Sequence, residues 1–200
     1  MNKYIVAQPY LVSSFADQLS CNDCESVELS SVNGFEFDIN GLEFDSAAAY
    51  YLLSNASFNN QSRTLLFSQL LAKGIKPQSL VSGSAKVASN VKLGMATLIH
   101  SNVNLGASVS VGFNTIVAPN AVIDEGVKIG NNCFIGPNVV LHPGVVIGSG
   151  AYIKGNIVIE AGVKIDKDVV INDAYTSIRA DVKSGIILDK QIGDFVRILK

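Results

Sequence analysis

From Gln78 to Asp173 the chain is written in six-residue units, sixteen of them, without insertion or deletion. The fourth position is Val, Leu or Ile in every unit, from Val81 through Leu93, Ile123 and Leu141 to Ile171. The second is small or β-branched in every unit, as at Ala85, Thr97, Val109, Cys133 and Val169. Residues two apart on a strand point the same way, so positions two and four face inward together. A period of six does not make a 3.6-residue stripe, which excludes an α-helix. Positions five, six and one form a corner. Gly recurs at five, as at Gly94, Gly112 and Gly136, and Asn at one, as at Asn102, Asn120 and Asn138. Both tolerate the positive φ expected of a tight corner. The pattern predicts stacked parallel coils of three short strands each. Sixteen units then give five and a third coils, and a prism roughly 25 Å tall at a strand spacing of about 4.8 Å.

Composition supports thin stacked layers. Apolar residues make up 48% of the chain, but aromatics only 8%, with no Trp. The core must therefore come from Val, Ile, Leu and Ala, as in repeat arrays. A net charge of -2 offers no overall basic field for nucleic acid or anionic lipid. No apolar run reaches the ~18 residues of a membrane span. The start, MNKYIVAQPY, lacks a signal-peptide core, so a cytoplasmic protein is expected. Cys21 and Cys24 form a lone CxxC, read as two thiols in a loop rather than a zinc or redox site. Cys133 falls on an inward position and reads as a small core hydrophobe.

The flanks do not follow the frame. Residues 1–77 read as a small α/β domain, residues 78–173 as the β-helix, and residues 174–200 as a C-terminal tail. Lys3 to Ala7 and Tyr50 to Leu53 read as strands, and Leu11 to Leu19 as a short helix. Phe35–Ile39 and Leu42–Phe44 alternate around Asn40-Gly41, a hairpin signal. Asn60 to Lys73 is the strongest helix, with Gly74 as its stop. In the tail, Gly185 to Leu188 and Phe195 to Leu199 are apolar segments.

With these residues in place, the chain resembles the hexapeptide-repeat acyltransferase superfamily, whose fold is a left-handed parallel β-helix. A narrower likeness runs from Tyr50-Tyr51-Leu52-Leu53-Ser54-Asn55 through Leu71-Ala72-Lys73-Gly74 to Ser79–Ala85. That stretch is similar to bacterial nucleotide-sugar and sialic-acid-type N- or O-acetyltransferases, in which a Rossmann-like domain precedes the β-helix. The resemblance implies acetyl transfer from acetyl-CoA to an amino or hydroxyl group of a sugar or nucleotide-sugar, in surface polysaccharide biosynthesis. It also implies a homotrimer with sites between subunits. The chain departs from that family in two places. Ala7-Gln8-Pro9-Tyr10 stands where a Gly-rich turn is usual, and Asp124-Glu125 where an Asp-His pair is usual.

Such chemistry needs a base for the attacking group and donors for the thioester oxyanion. The two histidines, His100 and His142, both occupy position five, where side chains are expected to point outward. In other branches of the superfamily the catalytic His sits at this position. His142 is the first candidate for the base, with Glu125 and His100 as rivals; a corner role without catalysis competes for each. For acetyl-CoA the resemblance points to backbone around Pro137 and Gly155, and to Arg179 and Arg197 for phosphates. Two histidines cannot make the three-His zinc site of β-helical carbonic anhydrases, so no metal is expected. A chain of 200 residues leaves no room for an upstream nucleotidyltransferase domain, so a pyrophosphorylase is not expected. The competing function is a non-catalytic binding or assembly protein on the same scaffold.

Overall fold

The computed structural model describes residues 3–7, 24–28, 39, 44–45, 48–53, 61–173, 177–189 and 193–197. The N-terminal part contains β1 (Lys3–Ala7), β2 (Cys24–Glu28) and β3 (Ala49–Leu53). They form a parallel sheet with β1 in the centre. The strands expected at Lys3 and Tyr50 are both present. Cys24, expected in a loop, opens β2 instead. The expected helix at Leu11–Leu19, the Asn40-Gly41 turn and the Ala7–Tyr10 turn beyond Ala7 lie outside the described residues. Helix α1 (Gln61–Ala72) follows. It stops where Gly74 turns left-handed, at φ 77°.

Then comes the β-helix. Sixteen two-residue strands, β4 (Leu80–Val81) to β19 (Val170–Ile171), occupy positions three and four of the sixteen units. From β4 to β16 each pairs in parallel with the strand three further on, as in Val122↔Val140 and Ile123↔Leu141. Residue i therefore lies beneath residue i+18, and three flat sheets result. Positions two and four face inward as expected. Val103, Val109, Ile135, Leu141 and Ile159 are fully buried in one continuous core. The first coil is the exception, because no coil lies beneath it: Val81 and Val87 are 37% and 38% exposed.

The corners divide their labour more finely than the sequence suggests. Positive φ is confined to position one, at Asn102, Asn114, Asn132, Gly126, Gly144 and their equivalents. The Asn side chains there form ladders, such as Asn138 Nδ2 to Asn156 Oδ1 at 3.0 Å. Glycine at position five answers a different need. A Cβ on Gly94 would lie 2.4 Å from the backbone nitrogen of Phe113 in the coil above. Close approach of stacked backbones, not φ, excludes a side chain there.

One inward column is polar. Ser79, Thr97, Thr115 and Cys133 stack at position two, and each donates to the carbonyl of the glycine fifteen residues on. Cys133 is thus a core thiol with a partner, its Sγ 3.2 Å from Gly148 O. Burial pushes the thiol up to about 11.

The array does not end at Asp173. The strand β20 (Ser177–Ile178), a bridge from Val182 to Ile165, and β21 (Ile186–Asp189) extend the three sheets in turn. These pairings make a further coil out of the expected tail. The strand β22 (Gly193–Arg197) then turns back antiparallel on β21.

Helix α1 packs on the first coils. Phe67 stacks on Phe113 at 5.5 Å, and Leu66, Leu70, Ile75 and Ala96 share one buried cluster. Arg63 is wholly buried between them. It donates to the carbonyls of Ala96 and Asn114, and burial pulls its guanidinium down to about 9. No described helix is long and apolar enough to cross a membrane.

Candidate functional site

Because i and i+18 stack, each corner of the prism is a column of position-five residues. One column is almost all glycine: Gly94, Gly112, Gly130 and Gly148. Chemistry falls on the other two. The column that ends the sheet of Val122 and Val140 runs Ala88, Gly106, Asp124, His142, Glu160 and Arg179. The column ending the sheet of Leu98 and Ile116 runs Ser82, His100, Ala118, Gly136, Lys154 and Asn172.

In the first of these, His142 Nδ1 lies 3.1 Å from Asp124 Oδ2. Their side chains are 38% and 34% exposed, so the imidazole is held by the coil below while its other face meets solvent. A carboxylate on Nδ1 fixes the tautomer whose Nε2 carries the free lone pair. Glu125, exposed, shares this corner at position six. Glu160, one coil above His142, takes the hydroxyl of Ser177 on Oε1 at 3.0 Å. Arg179 follows one coil higher and is exposed.

His100 behaves differently from His142 despite its equivalent position. It is 4% exposed, and it is pulled down to about 4, first by burial and then by the charge of Arg63. The outward-facing histidine expected there is an interior one, because the N-terminal part covers this corner. Pro137 and Gly155 also lie at this second corner. They pack against each other: Asn156 N donates to Pro137 O at 2.9 Å, and a Cβ on Gly155 would come within 2.7 Å of Pro137 O. Arg197 lies in β22. Of the residues singled out from sequence, one corner therefore gathers His142, Glu125 and Arg179, and another holds His100, Pro137 and Gly155. A single chain does not join the two groups.

In the His142 column, Glu160 was not singled out from sequence, and Asp124 was marked only as standing with Glu125 where an Asp-His pair is usual, not as the partner of His142. The signal was available. Three units per coil make 18 the stacking interval, and 124, 142 and 160 are spaced by it. Among the described residues, no group of three or more His, Cys, Asp and Glu side chains is arranged to hold a metal ion.

The architecture defines the chain as a hexapeptide-repeat parallel β-helix protein with an N-terminal parallel sheet. A family model described as the GMPPB C-terminal domain matches residues 117–199. No curated protein matches. Among solved structures, the chain is similar to the acetyltransferase domain of PglB from Neisseria gonorrhoeae in complex with acetyl coenzyme A. The TM-score is 0.77 at 18% identity, covering 99% of this chain and 100% of that one. It is also similar to PerB from Caulobacter crescentus in complex with CoA and GDP-perosamine, with a TM-score of 0.72 at 18% identity over 94% and 93% of the two chains. At this identity the likeness is one of fold.

Proposed function

We propose that the chain is an acetyl-CoA-dependent acetyltransferase acting on an amino or hydroxyl group of a sugar or nucleotide-sugar, with His142 as general base. The observation that carries this reading is the Asp124–His142 hydrogen bond at an exposed corner. Asp124 accepts a hydrogen bond from Nδ1–H and leaves Nε2 to accept a proton from the acceptor. The freed nitrogen or oxygen lone pair attacks the thioester carbonyl carbon, and a C–N or C–O bond forms. The tetrahedral intermediate collapses with loss of the C–S bond, and the imidazolium returns its proton to the departing thiolate. The products are acetylated sugar and free CoA. The charge on Asp124 stabilises the imidazolium between the two proton transfers.

Support for the acyl donor comes from the PglB domain and PerB, whose structures hold acetyl-CoA or CoA. The GDP-perosamine bound to PerB supports a nucleotide-sugar acceptor. Backbone around Pro137 and Gly155 would receive the donor, and Arg179 and Arg197 its phosphates. The working form is a homotrimer in the cytoplasm, serving surface polysaccharide synthesis. The test is CoA thiol release with acetyl-CoA and a panel of UDP- and dTDP-linked amino sugars. Turnover with one acceptor is expected. No turnover with any acceptor, together with no CoA binding by calorimetry, would sink the enzyme and leave the scaffold reading.

A further inference from the structure

One sheet of the prism runs from Lys92–Leu93 in the first coil to Lys164–Ile165 in the fifth. Its outward row reads Lys92, Ser110, Lys128, Val146, Lys164. The three lysines are exposed, and among the described residues none of them is in an ion pair. Long cationic and short side chains thus alternate coil by coil in a straight line. Glycine stands beside the strands on both edges, as at Gly130 and Gly148 on one and Gly126 and Gly144 on the other, so the lysines are not walled in there. Asp181 closes the row above Lys164, where its carboxylate accepts the Lys164 N–H at 2.8 Å. The other two sheets carry no such row, with Val122, Val140 and Val158 outward on one and Leu98 and Ile116 on the other.

We propose that this row docks an extended acidic polypeptide segment that carries a carboxylate at every third residue. Charge complementarity supplies the attraction, and spacing selects the conformation. Stacked strands lie about 4.8 Å apart, so lysines two coils apart recur every ~9.6 Å. A polyproline II chain advances about 3.1 Å per residue with three residues per turn, which returns a side chain to the same face every ~9.3 Å. Over three lysines the mismatch grows to only ~0.6 Å, well within the freedom of a lysine side chain. A β-strand returns to one face every ~6.8 Å and falls out of step with the second lysine. A lipid surface laid on the same face would also press on Glu125 and Asp166 at its two edges. A nucleic acid strand would find no aromatic ring on the row to stack on. The polyproline II form is common in unfolded acidic chains, so the partner is a disordered segment that orders along the prism. None of this depends on the acetyltransferase reading, since His142 is outside the row.

The test is fluorescence anisotropy of the full chain with two dye-labelled peptides of one composition. The first is four copies of Glu-Pro-Pro; the second holds its four Glu side by side. The spaced peptide is expected to bind about threefold or more tighter, and to weaken as salt is raised. Lys92→Gln, Lys128→Gln and Lys164→Gln are each expected to weaken it about twofold to fivefold, and the triple variant at least about tenfold. Circular dichroism checks that the variants fold. Equal binding of the two peptides would reduce the row to diffuse charge and overturn the proposal, as would no binding of either. Full binding by the triple variant would place the peptide elsewhere. Sedimentation with phosphatidylglycerol vesicles, lost in the triple variant while the spaced peptide fails to bind, would replace it with a lipid surface.

Discussion

His100 and His142 sit at the same position of the repeat, yet their surroundings give them opposite properties. His142 rests on Asp124 with solvent beside it; His100 lies under the N-terminal part, next to a buried guanidinium. A base used near neutrality needs an exposed, oriented ring, so His142→Ala is expected to lower kcat by about 10²–10⁴. Asp124→Asn removes the charge that orients the ring and is expected to cost roughly tenfold or more in kcat with little change in KM. Its ring ¹⁵N shifts should move toward a mixture of tautomers. Unchanged shifts would show that Asp124 does not set the tautomer. Glu125→Gln is expected to leave kcat within about threefold, whereas a loss equal to that of His142→Ala would move the base to Glu125. The identity of these residues was legible at the corners of the frame. Their stacking was legible too, since three units per coil set the interval at 18; that the two side chains meet in a hydrogen bond was not.

At the scale of the corner, two kinds of glycine carry different constraints. Gly112, at position five, has the backbone of Gly130 and Asn131 within 2.5–2.6 Å of where a Cβ would sit. Gly126, at position one, has open space around that point but a φ of 69°. Gly112→Ala must push two coils apart, and a loss of ~3 kcal/mol or more is expected, since neither backbone can yield locally. Gly126→Ala keeps the space and strains φ, for a loss of about 1–2 kcal/mol, while Gly126→Asn should lose less, as Asn occupies that conformation at position one of the other two columns. Urea melts of the three variants give the order directly, and equal losses at Gly112 and Gly126 would contradict it. Sequence reasoning placed both residue types at the corner but assigned one reason to both. The close approach is between coils, and no local pattern displays it.

At the scale of the whole chain, α1 and the first coils bury a guanidinium, Arg63, beside a histidine, His100, that burial and that charge keep neutral. The His100 pKa is about 4 in the fold against 6.5 for the free side chain. Between these values the unfolded chain takes up a proton that the folded chain refuses. Stability therefore falls as pH drops from 6.5 toward 4. One group contributes at most about 3 kcal/mol over that window. Thermal melts of wild type should show this slope, and His100→Gln should flatten it; an unaltered slope would place the acid sensitivity elsewhere. Arg63→Leu leaves the carbonyls of Ala96 and Asn114 without their buried donor, at a cost of about 1–3 kcal/mol each. It should loosen α1 from the coils before the β-helix itself melts.

The sequence alone determined the β-helix. Its signal is repeated sixteen times, and each unit needs only its neighbours to bury positions two and four. It also determined the extent of α1 and two strands of the N-terminal sheet, which rest on local pattern. The tertiary structure decided the rest. It buried His100 and left His142 open, since burial at a corner depends on what a distant segment covers. It brought Asp124 Oδ2 to His142 Nδ1, because side-chain orientation at a corner, unlike the stacking interval, is not written in the repeat. And it carried the array one coil beyond the last hexad, where spacings of 19 and 17 residues replace 18 and no repeat remains to be read.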